Sequence, residues 1–209
     1  KSSEVRRKSD SKGRRGSRRN APGLRVGGPH SVEAALAGPC RATRVVLEEG
    51  APRRVVAIAE RAREAGIPVD MARQGECDRL AGVEAGGISA EVRFAYGELA
   101  DLISPQASAS GGLPNAGLIV LLDGVEDPHN LGAVIRTAEA AGASGVVIPG
   151  RRAAQVTAAV VRVSAGAALQ IPVVRVANIG QAVETLGRVG YWTVGLDQDA
   201  ESPLETGPS

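Results

Sequence analysis

The sequence predicts an α/β protein, with a mostly parallel β-sheet in its second half and a small α/β sandwich before it. Segments rich in β-branched residues alternate with helical patterns along most of the chain, the order that builds βαβ crossovers. The strand candidates of the second half are continuous apolar runs, as expected when helices cover both faces of a sheet. Such crossovers are right-handed.

The composition favours a cytoplasmic protein without a membrane span or a metal centre. The chain has 209 residues, of which 43% are apolar and only 2% aromatic, so its core must consist of Ala, Val, Leu and Ile. No apolar run approaches the ~20 residues that cross a membrane, and no apolar segment follows the basic N-terminus as in a secretory signal. The two cysteines, Cys40 and Cys77, have no metal-ligand spacing and are expected to be reduced thiols.

Charge is distributed unevenly along the chain. Residues 1–25 hold ten Lys or Arg and two acids, whereas residues 26–209 hold fifteen Arg and twenty-one acids. Residues 1–23 are almost devoid of apolar side chains and are expected to form a disordered basic arm. Such an arm could bind the phosphates of RNA or DNA, or it could be a solubilising tail.

Residues 24–103 are predicted to form the sandwich. SVEAALAG indicates a helix with Ser31 as N-cap, and PRRVVAIAERAREAG indicates a longer helix. TRVVLEE, IPVDMA and GISAEVRFAY are the strand candidates, and ECDRLAG is a short helix. Residues 104–117 are uncharged and rich in Ser, Ala, Gly and Pro, which predicts a linker.

Residues 118–209 are predicted to form the parallel sheet. GLIVLLDGV, SGVVIPG, IPVVRVA and YWTVGLDQD are its four strand candidates, separated by three helical segments. Ligands of such sheets bind beyond the carboxyl ends of the strands, and the loop 123–130 lies at one of these ends. This loop is therefore the predicted site.

The helix that follows this loop is suited to bind an anion. Leu131, Val134, Ile135 and Ala138 form its apolar side, with Arg136 on the other side. Asn130 is expected to be the N-cap, and Gly132 would let a backbone or a ligand approach closely. An arginine near a helix N-terminus suits a phosphate.

Simpler interpretations of these residues stay open. Arg136 could be an ordinary surface arginine, His129 could be merely solvated, and Asp127-Pro128 is a common turn. No dinucleotide fingerprint, Walker loop or G-x-S-x-G elbow is present. The residues alone therefore lead to an anion-binding α/β site and no further.

The stretch LLDGVEDPHNLGAVIRTAEAAGASGVVIP resembles the first signature motif of the SpoU/TrmH family of RNA ribose 2′-O-methyltransferases, part of the knotted SPOUT class. The stretch from VVRVSAGAALQIPVVRV onward is similar to the same family, and GLRVGGPHSVEAALAG resembles its N-terminal substrate-binding domain. The resemblance covers residues 24 to about 205. It implies a SPOUT-type sheet preceded by an RNA-binding domain.

The sequence departs from the family pattern in two places. Residues Glu84-Ala85-Gly86-Gly87-Ile88 stand where relatives carry a His-Gln-Gly-Val-like motif. The family's second motif, a Gly-x-Glu loop, and its third, which together form the trefoil knot and most of the cofactor pocket, would follow Ser209. We therefore expect a C-terminally truncated chain whose cofactor-binding residues lie beyond Ser209.

The resemblance implies the chemistry of the site. Arg136 would contact the target ribose and its phosphate, Asn130 would shape the same corner, and Gly132 would lie against the RNA. The cofactor would be S-adenosylmethionine, the substrate large-subunit ribosomal RNA, and the assembly a homodimer. Two alternatives stay open: an RNA-binding protein without catalysis, and a nucleotide-binding α/β enzyme unrelated to RNA.

Overall fold

The computed structural model of the chain describes residues 23–103 and 117–196. The predicted basic arm and linker lie, apart from Gly23 and Gly117, outside the described residues, so both stay predictions. Two sheets, seven α-helices and one short 3-10 helix, Ala167–Leu169, make up the described part. In chain order the elements are β1 (Leu24–Gly27), α1 (Pro29–Ala37), β2 (Ala42–Glu48), α2 (Arg53–Glu64), β3 (Val69–Ala72), α3 (Glu76–Ala81), β4 (Ile88–Val92), α4 (Leu99–Leu102), β5 (Ile119–Leu121), α5 (Pro128–Ala140), β6 (Gly145–Pro149), α6 (Ala158–Val163), β7 (Val173–Val176) and α7 (Ile179–Arg188).

The first sheet has helices on both faces, which confirms the predicted sandwich. Its strand order is β1-β4-β2-β3, with β2 and β3 parallel and β4 antiparallel to both of its neighbours. Val45 and Leu47 of β2 are buried in the core that α2 contributes to. The carboxylate of Glu48 accepts a hydrogen bond from the Cys77 amide of α3 at 2.7 Å. Because successive strand residues point to opposite faces, α2 and α3 cover opposite sides.

The first helix begins earlier than the sequence predicted. Its N-cap is Gly28, with a φ of 97°, and Pro29 is the first helical residue. Proline suits this position for two reasons: its fixed φ is already helical, and the N–H that it lacks would have no partner within the helix. Ser31 is consequently buried in the first turn, and its prediction as N-cap is wrong.

The second sheet consists of three parallel strands in the order β5-β6-β7. Val146 and Ile148 of β6 pack in one core with Leu131 and Ile135 of α5. Between them, Val147 points to the other face and packs against α7. Both faces of β6 are therefore covered, which explains its uninterrupted apolar sequence.

The predicted fourth strand of this sheet is absent from residues 191–196. The amide of Tyr191 donates to the carbonyl of Leu186 at 3.1 Å, so the chain folds back onto the end of α7. The residues that follow then run along the surface, and Trp192, Val194 and Leu196 are exposed. Apolar side chains at every second position are typical of a strand, but no described strand pairs with these residues.

The two units are packed into one body. A single apolar core contains Val26 and Val32 of the first unit together with Leu131, Val160 and Leu169 of the second. The segment before the linker also leaves the first sheet: Gly97 forms a parallel bridge with Val174, and α4 packs in the small core beneath α7.

Three polar contacts reinforce this junction. The Tyr96 hydroxyl accepts from the Val156 amide at 2.9 Å, and the Gln170 side-chain amide donates to the Ala34 carbonyl at 3.1 Å. Arg162 of α6 pairs with the Glu84 carboxylate at 2.6 Å and also donates to its carbonyl. The loop in which this sequence departs from its relatives is thus part of the contact between the units.

Candidate active site

Helix α5 begins at the carboxyl end of β5, and Asp127 is its N-cap. Oδ1 of Asp127 accepts a hydrogen bond from the His129 amide at 2.9 Å, and the Asp127 carbonyl accepts from the Leu131 amide at 3.0 Å. Pro128 follows at the first helical position, where its fixed φ suits a helix start. The prediction that Asn130 caps this helix is therefore wrong, because the helix begins with Pro128.

Asn130 consequently has a free side chain. It lies exposed in the first turn of α5, and its amide makes no hydrogen bond to any residue in the described ranges. His129 is exposed as well, and only its backbone takes part in the cap. Asn130 is thus available to a ligand, while the side chain of His129 has no assigned role.

Gly132 faces a neighbouring helix and not open space. It is buried, and a Cβ added there would lie 2.8 Å from the Cβ of Val163 and 3.1 Å from the carbonyl oxygen of Val160. The close approach that its small size permits is made by α6. We therefore assign Gly132 to helix packing, in place of the predicted contact with RNA.

Arg136 lies one turn further along this side of α5, beyond the end of α6. Its side chain is exposed and lines a cleft of about 450 Å³ between the two units. Within the described residues the guanidinium has neither an ion pair nor a hydrogen bond, so it is free to bind an anion. Asn130 is not among the residues that line this cleft, because it projects about 120° away around the helix.

The floor of the cleft is the turn after α6. The buried Ser164 donates from its hydroxyl to the Val161 carbonyl at 3.0 Å and accepts from the Ala168 amide at 3.2 Å. Ala165 and Gly166 then take left-handed conformations, with φ values of 51° and 91°. A Cβ at Gly166 would lie 2.5 Å from the Cβ of Ala34, so this turn is pressed onto α1.

The opposite wall comes from the first unit and was not predicted from the sequence. His30 and Glu33 of α1 and Arg61 of α2 line the cleft. The carboxylate of Glu33 lies between these two side chains, 3.3 Å from Nη1 of Arg61 and 3.9 Å from Nδ1 of His30. No sequence motif marks these residues, since only the packing of the units brings them opposite Arg136.

A second cleft, of about 590 Å³, lies at the carboxyl edge of the second sheet. Its lining includes Asp123 and Glu126 after β5, Arg151 and Arg152 after β6, and Asn178 after β7. These side chains, with Pro149 and Ile179 beside them, offer both charged and apolar surface to a ligand such as S-adenosylmethionine.

Comparison with known proteins identifies the family. The model of the SpoU rRNA methylase family matches residues 117–207, and that of the RNA 2′-O ribose methyltransferase substrate-binding domain matches residues 25–96. A TrmH family tRNA/rRNA methyltransferase of Staphylococcus haemolyticus is 33% identical over 174 residues, which are 82% of this chain and 68% of the relative. The chain belongs to the SpoU/TrmH family of RNA methyltransferases.

Solved structures of SpoU/TrmH proteins have the same fold. The AdoMet-bound rRNA methyltransferase of Sinorhizobium meliloti matches with a TM-score of 0.60 and 26% identity, over 80% of this chain and 58% of that protein. The SpoU methyltransferase AviRb of Streptomyces viridochromogenes, in complex with AdoMet, matches with a TM-score of 0.63 and 21% identity, over 84% of this chain and 62% of AviRb. The chain thus spans about six tenths of the length of these structures. The predicted SPOUT-type fold and the S-adenosylmethionine cofactor of the family are both confirmed.

Within residues 23–103 and 117–196, no helix has the length and apolar character needed to cross a membrane. Over the same ranges, no three His, Cys, Asp or Glu side chains lie close enough together to hold a metal ion.

Proposed function

We propose that this chain supplies the substrate-binding unit and the ribose-binding half of the active site of an RNA ribose 2′-O-methyltransferase. The observation that carries the proposal is the unpaired guanidinium of Arg136, which faces the cleft between the methylase unit and the substrate-binding unit. The same two units form one packed body. RNA held by the first unit would therefore meet Arg136 directly.

In this proposal Arg136 orients the target nucleotide and stabilises charge on its ribose. A ribose hydroxyl is a poor nucleophile, and a guanidinium can bind the adjacent phosphate while it offsets the negative charge that develops on the 2′-oxygen. Asn130, with its free amide, contributes to the neighbouring corner at the start of α5. S-adenosylmethionine would supply the methyl group, while Arg136 and Asn130 would position the ribose whose 2′-oxygen receives it.

The narrower assignments belong to the same proposal. Large-subunit ribosomal RNA is the preferred substrate. This chain has the same two-unit organisation as members of the family that act on ribosomal RNA. A homodimer and a cytoplasmic location follow from the same resemblance. Mapping of the methylated nucleotide in total RNA after expression of the protein distinguishes ribosomal from transfer RNA.

A second candidate is RNA binding without catalysis by residues 1–209. It is favoured by the charged lining of the edge cleft, which includes Arg151 and Arg152. Isothermal titration of residues 1–209 with S-adenosylmethionine separates the two candidates. Binding would exclude the purely RNA-binding function, whereas its absence, with RNA binding retained, would assign the cofactor pocket to other residues.

Arg136→Ala is the direct test of the proposed role. The assay measures methyl transfer by the protein that contains this chain. We expect the rate of methyl transfer to fall by roughly 10²–10³, the usual effect of removing a group that stabilises an oxyanion, with cofactor affinity nearly unchanged. Arg136→Lys keeps the charge but not the planar fork, and it should retain a small fraction of the activity. Unchanged turnover of Arg136→Ala would contradict the assignment.

A further inference from the structure

The cleft that contains Arg136 has a second arginine on its opposite wall. Arg61 of α2 lines the same cleft and is about half exposed. Among the described residues, the Arg61 guanidinium donates one hydrogen bond, from Nη1 to Glu33 at 3.3 Å. An arginine carries five N–H donors, so most of the Arg61 donors remain available.

The carboxylates of the cleft give it more selectivity than a plain basic patch would have. Glu33 and Glu139 line it together with His30 and the two arginines, so the cations and anions are close to balance. Phosphates are repelled wherever a carboxylate faces them and attracted only where an arginine does. A strand in the cleft would therefore be held in one register, with modest overall affinity.

We infer that the cleft between the units is a composite site for the RNA backbone, in which Arg61 of the substrate-binding unit binds a phosphate next to the nucleotide held by Arg136. This inference rests on the proposed function and adds to it a specific phosphate-binding residue. Arginine suits the role because its planar fork binds two phosphate oxygens at once. Glu33 acts on Arg61 as a positioning residue, since their ion pair directs the guanidinium along the cleft wall.

Helix α2 offers a matched control for this role. Arg63 lies on the same helix, is exposed and has no ion pair within the described residues, but it does not line the cleft. Arg61→Ala and Arg63→Ala remove the same charge from the same helix. A difference between the two variants therefore reports on the cleft and not on the net charge.

The measurement is the salt dependence of RNA binding by the whole chain. A short labelled single-stranded RNA of mixed sequence serves as the probe, titrated at several salt concentrations with wild type, Arg61→Ala, Arg63→Ala and Arg136→Ala. Each lost phosphate contact reduces the steepness of the negative slope of log K against log salt by about 0.7 for a single strand. We expect this reduction, and roughly tenfold weaker binding, for Arg61→Ala and Arg136→Ala. Arg63→Ala should stay near wild type.

Two other outcomes are informative. If Arg61→Ala behaves like Arg63→Ala while Arg136→Ala loses affinity, the composite site is overturned and the proposed function stands. If Arg136→Ala also binds like wild type, the proposed function fails together with the inference. Circular dichroism and urea unfolding of each variant show whether it is folded, and Arg61→Lys, which keeps the charge, should recover most of the salt slope.

Discussion

Asp127 takes the N-cap role at the start of α5 that the sequence analysis assigned to Asn130. The sequence makes either residue a plausible cap, since both types are favoured there. Pro128 decides between them, because it is suited to the first helical position and leaves Asp127 as the residue before the helix. Asn130, freed from capping, becomes the residue with an available amide at the edge of the site.

This assignment has a direct consequence for stability. Asp127→Ala removes the side-chain acceptor of the His129 amide, and loss of such a cap costs about 1 kcal/mol. Asn130→Ala should change the free energy of unfolding by only a few tenths of a kcal/mol, since its side chain makes no bond within the described residues. Urea unfolding of both variants measures the difference. A larger loss for Asn130→Ala would contradict the observed cap.

The buried thiol of α3 makes stability depend on pH in the alkaline range. Burial, followed by the nearby charge of Glu48, raises the pKa of Cys77 from its ordinary value of 9.0 to about 11. The protonated thiol is favoured in the folded state, so its contribution is complete below pH 9 and is lost as the pH rises towards 11. We expect the free energy of unfolding to fall across this window.

The matched variant is Cys77→Ala, which has no thiol to titrate. Its free energy of unfolding should be lower at neutral pH, because a buried sulfur is lost, but it should depend less on pH between 9 and 11 than that of wild type. Equal pH dependence in the two proteins would show that Cys77 is not the titrating group.

At the scale of elements, α5 is fixed by contact with α6. Of its predicted apolar face, Leu131, Ile135 and Ala138 are buried, whereas Val134 is only half-buried. The close approach predicted at Gly132 is observed, but the sequence did not show that α6 is the neighbour that makes it. The 3.6-residue period shows which face of a helix is apolar, but not which other helix crosses its remaining surface.

Gly132→Ala tests this packing. The added methyl group would overlap Val163, and such overpacking costs about 1–3 kcal/mol, more than the gain of up to about 1 kcal/mol from helix propensity. Gly187 of α7 is the control, because a Cβ there meets no atom within 4 Å. Thermal unfolding should therefore show a lower Tm for Gly132→Ala and an unchanged or higher Tm for Gly187→Ala.

Most elements could be predicted because their patterns are local. Helix α2 and strands β6 and β7 follow from periodicity and apolar runs. β1 was missed because four residues with two apolar side chains carry too weak a pattern. The strand expected at residues 191–196 has a strand-like alternation, but a strand also needs a paired neighbour, and no periodicity reveals that.

At the scale of the whole molecule, the sequence predicted two units and the structure joins them through one core. Val26 and Val160 lie in different predicted domains and belong to the same apolar cluster. The wall of the cleft opposite Arg136 arises from this packing. The sequence could therefore predict only the residues that the methylase unit contributes to the site, because these lie within one recognisable motif.

A shared core predicts that the two units unfold together. Amide hydrogen exchange of β2 in the first sheet and β6 in the second should give opening free energies that agree within about 1 kcal/mol. Glu84→Ala, which removes the partner of Arg162, should lower both values together. Separate opening of the first sheet would show that the contact between the units is weak.

The central claim is that Arg136 directs methyl transfer to a ribose of RNA. The most direct measurement is transfer of a radiolabelled methyl group from S-adenosylmethionine to ribosomal RNA, followed by alkaline hydrolysis, which cannot cleave next to a methylated 2′-oxygen. We predict label in alkali-resistant dinucleotides with the wild-type residue and its loss with Arg136→Ala. Label on a base, or equal ribose labelling by Arg136→Ala, would contradict the claim.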